Sequence, residues 1–283
     1  LINASMSRYG NSGPRRNWTS MNMNLQGYAG LMQVTGAKGD PPTAISNSWN
    51  DYIGGLHTGY AIITALTERE HHGRGAHLDI SQFECSVSMI APLLLFGAAE
   101  QRNPDRMGNR STLFAPQGVY RCAGQDEWCA VSVQDDAQWR ALAQAVEGDT
   151  KDNYLTTDAR FANFSGRMRH HDEIDERIEA WTQGLESTEV EDRLRQTGVP
   201  SARMYRVQDL LKGGASSKAY KRMTEPRVGS MLTTELPMEF SKSTPPPATP
   251  APDLGQHTQE VLREWLDLSE SELKVLACDG ALV

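Results

Sequence analysis

The sequence predicts an α/β protein with a large domain and a smaller α+β domain. Three observations support this class. Over residues 51–81 a glycine-rich helix is followed directly by a short apolar strand, and the two together make an α/β unit. Two alternating segments, 118–122 and 128–133, predict a β-hairpin with amphipathic helices after it. A length of 283 residues is more typical of two domains than of one.

The N-terminal segment predicts a strand over residues 1–6, a turn over 11–14 and a helix over 22–32. Leu1 is not an initiator methionine, and a sheet rarely begins at the first residue of a chain without a neighbouring strand. We therefore expect an N-terminally truncated fragment. The alternative is a processed, mature terminus.

The central segment predicts a helix from Asp51 to about residue 71, with Asp51 as its N-cap, since a carboxylate there accepts bonds from free backbone N–H groups. Apolar residues at steps of three and four give this helix one core-facing side, formed by Ile53, Leu56, Tyr60, Ile63 and Leu66. Gly73 and Gly75 end the helix. Residues 77–81 then form a strand, and residues 82–97 form a second helix.

Three glycines crowd the first turns of this helix: Gly54, Gly55 and Gly59. Each glycine costs up to roughly 1 kcal/mol in a helix interior. Such a cluster indicates that another helix, a strand or a ligand comes very close to the backbone. The sequence therefore predicts a ligand-approach surface here.

The later part of the chain predicts a hairpin followed by mostly helical structure. Amphipathic helices are expected over 136–147, 172–183 and 188–197, the last with a capping box from Thr188 to Glu191. The residues expected to face inward are Trp139, Leu142, Ala143, Val146, Ile174, Ile178, Trp181 and Leu194. Residues 200–207 are a candidate strand, and the glycine pair Gly213–Gly214 predicts a turn. The proline-rich residues 241–252 predict an extended connection. Helices follow over 258–268 and from Ser269, whose capping box is completed by Glu272.

Composition excludes several classes of function. A net charge of −8 argues against a general nucleic-acid surface. No apolar run approaches the ~20 residues of a membrane span, so we expect no membrane partner. The four cysteines lack paired metal-ligand spacing, which predicts no metal site and is typical of a reduced, cytoplasmic chain.

Several motifs occur together in one order across nearly the whole chain. They are Tyr9-Gly10 with Gly13-Pro14, Asp51 with Gly54-Gly55, Gly73-Arg74-Gly75, Asp79-Ile80-Ser81, Gly108-Asn109-Arg110, Ala115-Pro116, Asp158 with Arg160-Phe161 and Arg167, and Pro252 to Thr258. In this combination the chain resembles the family III coenzyme A transferases, such as formyl-CoA and carnitine CoA-transferases. Their superfamily also contains the α-methylacyl-CoA racemases.

The resemblance implies a fold and an assembly. It implies a Rossmann-like large domain whose first half is missing here, over residues 1–117. A small α+β domain over 118–225 follows, then a linker and C-terminal helices over 226–283 that return to the large domain. It also implies an interlocked homodimer, or a heterodimer with a paralogous subunit. Coenzyme A would be a substrate, with no resident cofactor.

The resemblance also implies a reaction, in which an Asp carboxylate attacks an acyl-CoA thioester and CoA then passes to a second carboxylic acid. In the family this Asp lies four residues before a Gln, which Gln26 matches here, and Asn22 occupies the Asp position. Residues 1–39 contain no Asp or Glu that could take its place. An amide is not a nucleophile. Asn22 therefore favours a subunit without its own nucleophile, paired with a competent partner chain. Together with the glycine cluster, the family's site geometry also implies that the first turns of the central helix pack against the segment that carries Asn22.

Asp51 is the other acidic candidate, with a helix cap as the more common interpretation and catalysis as the alternative. In racemase relatives the matching Asp is paired with a His, whose position here is Met21. For substrate binding the resemblance indicates Gln26, Gly54, Gly55, Asn109 and Arg110, although a salt-bridged Arg110 is an equal expectation. The leading hypothesis is a CoA-transferase acting on an acyl-CoA and a carboxylic acid. The alternatives are a non-catalytic CoA-binding protein and a racemase-type isomerase.

Overall fold

The computed structural model describes residues 1–45, 48–150, 153–211, 220–244, 246–247 and 249–282. They form two compact units, Leu1–Met204 and Tyr205–Val283. Seven strands and thirteen α-helices lie within these residues, which confirms the α/β class. The domain boundaries after residues 117 and 225, the missing first half and the return of the C-terminal helices stay predictions.

The first unit begins with a parallel pair of strands. Strand β1 (Ile2–Ser7) pairs with β2 (Ala76–Ser81) in a register that runs from Ile2 opposite Ala76 to Ser7 opposite Ser81. Parallel neighbours need a crossover connection, because the chain must return to the same end of the sheet. Here the crossover contains three helices: α1 (Asn22–Tyr28), α2 (Leu31–Val34) and α3 (Trp49–His72). Both predicted strands are confirmed.

Two predicted helices are each divided into two. The helix expected over 22–32 breaks at Gly30, whose φ of 84° is left-handed and favours glycine. The helix expected over 82–97 is α4 (Gln82–Met89) and α5 (Ala91–Glu100), because Pro92 has no backbone N–H to continue α4. Within the described ranges no single helix is long and apolar enough to cross a membrane, and α4 and α5 pass that test only when counted together across their 68° bend.

Helix α3 differs from the prediction at its start and agrees at its end. Its N-cap is Ser48, so Asp51 lies in the first turn and the prediction that it caps the helix is wrong. Trp49 and Asn50 extend the helix because Asn50 is held by residues of two other helices. At the other end Gly73 adopts φ 68° and donates its N–H to the Arg69 carbonyl, as predicted.

The core-facing side predicted for α3 is buried only in part. Ile53 is 9% exposed, whereas Leu56, Tyr60 and Ile63 are 71%, 77% and 65% exposed. The prediction for these three residues is wrong for this chain. A helix of 24 residues is about 36 Å long, and a strand of six residues only about 20 Å, so the two-stranded sheet cannot cover it.

The rest of the first unit surrounds an antiparallel sheet. Strand β4 (Trp128–Ser132) pairs with β3 (Gln117–Arg121) and with β5 (Ser201–Arg203), so the predicted hairpin is confirmed and the third strand is shorter than expected. The helices are α6 (Asp136–Thr150), α7 (Tyr154–Thr157), α8 (Phe164–Arg169), α9 (His171–Thr182) and α10 (Ser187–Gln196), with a 3-10 turn at Ala159–Phe161.

The core of this part was predictable from helical periodicity. The residues expected to face inward are all at most 5% exposed: Trp139, Leu142, Ala143, Val146, Ile174, Ile178, Trp181 and Leu194. The capping box at Thr188 is wrong, since the N-cap of α10 is Glu186, two residues earlier. Ser187 is drawn into the helix, where its hydroxyl donates to Glu127 at 3.0 Å.

The second unit contains α11 (Val207–Leu211), a hairpin of β6 (Tyr220–Glu225) and β7 (Gly229–Thr234), α12 (Thr258–Leu266) and α13 (Glu270–Cys278). The hairpin was not predicted. The capping box at the start of α13 is confirmed, with Ser269 N–H donating to Glu272 at 2.8 Å. The described part of 241–252 holds no helix or strand, as expected of its prolines. The predicted turn at Gly213–Gly214 lies outside the described residues.

Arg167 is the largest fully buried side chain among the described residues, at 2% exposure. Its Nε donates to the Ala115 carbonyl at 2.9 Å and its Nη1 to the Phe161 carbonyl at 3.1 Å. Nη2 reaches the Asp136 carboxylate at 2.7 Å. One guanidinium thus joins three separate segments, using donors in fixed directions that an ammonium could not match.

We expect Arg167→Met to destabilise the fold by about 2–4 kcal/mol, because it leaves two buried carbonyls without their donor. The measurement is urea unfolding followed by circular dichroism. Arg195→Met is the matched control, since Arg195 is exposed and pairs with Glu191 one turn away on α10, and the change should cost less than about 0.5 kcal/mol. Equal losses from the two variants would contradict this account.

Candidate functional site

Three helices meet at the start of α3. The Asn50 backbone N–H donates to the Asn22 Oδ1 at 3.1 Å, which joins α3 to α1. The Asn50 side chain is fully buried, and its Nδ2 donates to the hydroxyl of Ser86 on α4. That hydroxyl donates in turn to the Gln82 carbonyl at 2.8 Å. The start of α3 therefore lies against the segment that carries Asn22, as predicted.

The glycines of α3 lie in two different environments. Gly54 is buried, and a Cβ added there would lie 2.8 Å from Met6 Sδ and 3.2 Å from Gln82 Cγ. The close approach predicted from sequence is therefore made by β1 and α4. Gly55 and Gly59 meet nothing within 4 Å and leave open space on the other side of the helix.

Asp51 presents a carboxylate at the exposed N-terminal turn of α3. Gln82 Nε2 donates to its Oδ1 at 2.6 Å. Gln82 is the first residue of α4 and is buried, at 7% exposure. The helix dipole favours a negative charge at this end of α3. The result is an accessible carboxyl group of which one oxygen is held by a fixed donor.

Gln26 is fully buried, and both ends of its amide are used. Its Nε2 donates to the Ile45 carbonyl at 2.8 Å, and its Oε1 accepts from the Ile45 N–H at 2.7 Å. This pair of bonds fixes the loop that leads to α3. A direct contact of Gln26 with substrate stays a prediction.

Asn109 and Arg110 belong to a different place, a cavity of about 510 Å³ whose lining includes neither Asn22 nor Asp51. Arg110 lies between two carboxylates, with 2.5 Å from Nη1 to Asp172 and 2.5 Å from Nη2 to Asp175. The hydrogen bond from Arg110 lowers the pKa of Asp172. A guanidinium engaged twice has little free charge for an anionic ligand. The salt-bridged alternative for Arg110 is therefore what the structure contains.

Two neighbours of this ion pair, Tyr120 and His171, are buried. The Tyr120 hydroxyl donates to Asp175 at 2.7 Å. Burial, together with the Asp175 carboxylate, raises the pKa of Tyr120 well above its usual value. Burial lowers the pKa of His171, whose Nε2 accepts the Gln117 N–H at 3.2 Å. These bonds hold α9 against β3. The network is a structural contact between a helix and a sheet.

Comparison with known proteins identifies the family. The sequence matches the model of CoA-transferase family III over residues 1–258. The chain belongs to CoA-transferase family III. A solved CAIB/BAIF family protein from Brucella suis has the same fold, with a TM-score of 0.81 and 24% identity, covering 93% of this chain and 68% of that one.

Three named relatives come from Chloroflexus aurantiacus. The succinyl-CoA–D-citramalate CoA-transferase is 26% identical and is covered over 68% of its length by 98% of this chain. The β subunit of succinyl-CoA–L-malate CoA-transferase is 25% identical and the α subunit 26%, again over 98% of this chain and over 68% and 64% of their own lengths. The chain thus spans about two thirds of these relatives, and only 35% of a probable CoA-transferase from Mycobacterium tuberculosis.

The sequence analysis predicted that the start of α3 packs against the segment that carries Asn22, and the hydrogen bond from Asn50 to Asn22 confirms that contact. Gln82 was not predicted to belong to the site and appeared only as the first residue of a helix. Gln82 and Asp51 are 31 residues apart, and local periodicity does not indicate a contact over that separation. The one available signal was a polar residue at a position where α4 turns toward the core.

The two neighbouring glycines give a matched test of this packing. Gly55→Ala should stabilise the fold by up to about 1 kcal/mol, because alanine is the better helix former and the space is open. Gly54→Ala should be less stable than Gly55→Ala by roughly 1–2 kcal/mol, since the new methyl group must displace Met6 and Gln82. Thermal unfolding of both variants decides the matter, and equal stabilities would exclude the close approach at Gly54.

Proposed function

We propose that this chain is part of a CoA-transferase that moves coenzyme A from an acyl-CoA to a carboxylic acid, with Asp51 as the attacking carboxylate. One observation carries the proposal. Asp51 does not cap α3, and its carboxylate is exposed while a buried amide holds one of its oxygens. The family and the names of its relatives support the reaction class. Coenzyme A is a substrate here, and the proposal needs no resident cofactor or metal.

The reaction follows from the chemistry of a carboxylate nucleophile. Asp51 attacks the thioester carbonyl and expels the CoA thiolate, which leaves a mixed anhydride on Asp51. The thiolate then attacks the Asp51 carbonyl carbon, releases the first acid and forms an aspartyl thioester. The acceptor carboxylate displaces the thiolate to give a second anhydride. Attack of the thiolate on the acceptor acyl group forms the new acyl-CoA and restores Asp51.

Asn22 takes a supporting role in this proposal. Its Oδ1 accepts the N–H of Asn50, the residue directly before Asp51, and so sets the position of the first turn of α3. An amide offers no nucleophile. If Asn22 instead marks a lost nucleophile, this chain is the inactive subunit of a pair and a partner chain carries the reaction.

The two other hypotheses have less support. A racemase needs two groups that exchange a proton with the α-carbon, and Met21 cannot act as one of them. A purely binding role would not require the exposed carboxylate of Asp51. Among the residues predicted to contact substrate, Gly55 has the open space that an acyl chain or pantetheine arm would need.

The test of the nucleophile is mass spectrometry of the complete protein after incubation with an acyl-CoA. Wild-type protein should show a hydroxylamine-sensitive mass increase corresponding to an aspartyl-CoA thioester. Asp51→Asn should lose it entirely, because the attacking oxygen is removed while the volume is kept. Transfer activity should fall by at least about 10⁴-fold, as expected when a covalent nucleophile is removed.

Asn22→Asp serves as the comparison variant, since it adds a carboxylate where the family resemblance indicates one. If wild-type protein forms no adduct and Asn22→Asp does, then Asp51 is not the nucleophile and the inactive-subunit hypothesis is correct. An adduct that survives Asp51→Asn would also contradict the assignment. CoA binding without any adduct in all three proteins would favour the non-catalytic hypothesis.

We propose further that the working form contains two chains, either two copies of this one or one copy with a paralogous subunit, in the cytoplasm. Two observations support this. The apolar side of α3 is exposed at Leu56, Tyr60 and Ile63, and contiguous exposed apolar surface is typical of interaction sites. Relatives of this chain are named as the α and β subunits of one enzyme.

Light scattering of the complete protein, coupled to size exclusion, should therefore give the mass of a dimer. A homodimer is expected when the protein is expressed alone, and a heterodimer when a paralogous subunit is present at equal concentration. A monomer at micromolar concentration under both conditions would contradict the two-chain proposal. It would leave the assignment of Asp51 unaffected, because adduct formation is measured separately.

A further inference from the structure

We propose that Gln82 is a positioning residue for the transfer reaction, holding one oxygen of Asp51 before attack and stabilising the negative charge on that oxygen afterwards. This inference rests on the proposed role of Asp51. Gln82 Nε2 lies 2.6 Å from Asp51 Oδ1, within hydrogen-bonding distance. A carboxylate can only accept, so the amide must present its N–H to Asp51.

The surroundings of Gln82 fix its side chain. The residue is 7% exposed, so its amide has little freedom to turn toward water. Its Cγ packs against Gly54, where no side chain stands between the two helices. Its backbone carbonyl accepts the Ser86 hydroxyl, and its preceding residue, Ser81, caps α4 by accepting the Glu84 N–H at 3.3 Å. A donor held in this way is preorganised, which is what electrostatic stabilisation requires.

The geometry gives the two oxygens of Asp51 different roles. Oδ1 is held by Gln82, so Oδ2 is the oxygen that attacks the thioester carbonyl. Once Oδ2 carries the acyl group, Oδ1 becomes the carbonyl oxygen of the anhydride. When the CoA thiolate attacks the carbon between them, the π electrons move onto Oδ1. The N–H of Gln82 already points at this oxygen and donates to it.

Collapse of that intermediate reforms the Oδ1 double bond and expels the acid with Oδ2, leaving the thioester on the carbon. The same oxygen becomes negative again when the acceptor carboxylate attacks the thioester and expels the thiolate. Gln82 thus faces the developing charge in both the formation and the breakdown of the aspartyl thioester. Removing one such donor typically slows a reaction by about 10²–10³-fold.

The test uses Gln82→Met in the complete protein, because methionine keeps the length and volume of the side chain and has no donor. Rapid quenching and mass spectrometry follow the aspartyl-CoA thioester after mixing with an acyl-CoA, then after adding the acceptor acid. We expect both formation and breakdown to slow by about 100-fold, with KM for the acyl-CoA changed less than about threefold. Gln82→Asn has a side chain that is one methylene shorter. Its rates of adduct formation and breakdown should lie between those of wild-type protein and Gln82→Met.

Gln101→Met is the matched control, since it makes the same substitution at an exposed glutamine whose Nε2 donates to the Ala98 carbonyl at 2.7 Å. It should change the adduct rates less than about threefold. Equal slowing by Gln101→Met and Gln82→Met would show that the contact with Asp51 is not what matters. Unchanged rates in Gln82→Met with a wild-type adduct would overturn this inference alone, whereas no adduct in wild-type protein would overturn it together with the role of Asp51.

Discussion

The position of the α3 N-terminus depends on one buried asparagine. Burying an amide is costly unless it is hydrogen-bonded, so the bonds of Asn50 fix the arrangement of the segments that supply them. Its backbone N–H bonds to Asn22 on α1 and its side chain to Ser86 on α4. The residue that follows is Asp51. The turn of α3 that carries the exposed Asp51 carboxylate is therefore held by two other helices, α1 and α4.

The parallel strand pair explains why these helices meet. Strands β1 and β2 run in the same direction, so α1 and α3 both lie in the crossover between them, and α4 starts where β2 ends. Gly54 allows α3 to approach β1 and Gln82 without a side chain between them. A larger residue there would separate α3 from α4, and the hydrogen bond between Gln82 and Asp51 spans only 2.6 Å.

The two parts of the first unit use charge in opposite ways. Around β3 the charged side chains neutralise each other, as Arg110 does with Asp172 and Asp175, and they hold α9 in place. At Asp51 the contact is with a neutral amide, which orients the carboxylate without cancelling its charge. A salt bridge at this position would stabilise the charged oxygen and reduce its reactivity. The neutral partner therefore suits the proposed attack of Asp51 on an acyl carbon.

Local pattern determined a definite part of this protein. Helical periodicity predicted the buried face of α6 and α9, including Trp139 and Ile178, because the two short helices pack together in one core. Turn and cap chemistry predicted the end of α3 at Gly73 and the start of α13 at Ser269, since those bonds join residues only a few positions apart. The combination of motifs indicated the family, because their order along the chain is specific even where each motif alone is not.

Tertiary structure decided the rest, because it depends on side chains far apart in sequence. Periodicity showed that α3 has an apolar side, but the length of the sheet decides how much of that side is covered, and here Leu56, Tyr60 and Ile63 remain exposed. The helix cap moved from Asp51 to Ser48 because Asn50 is held by residues of two other helices. The contact between Gln82 and Asp51 exists only because the parallel crossover brings the starts of α3 and α4 together, and no spacing along the chain encodes it.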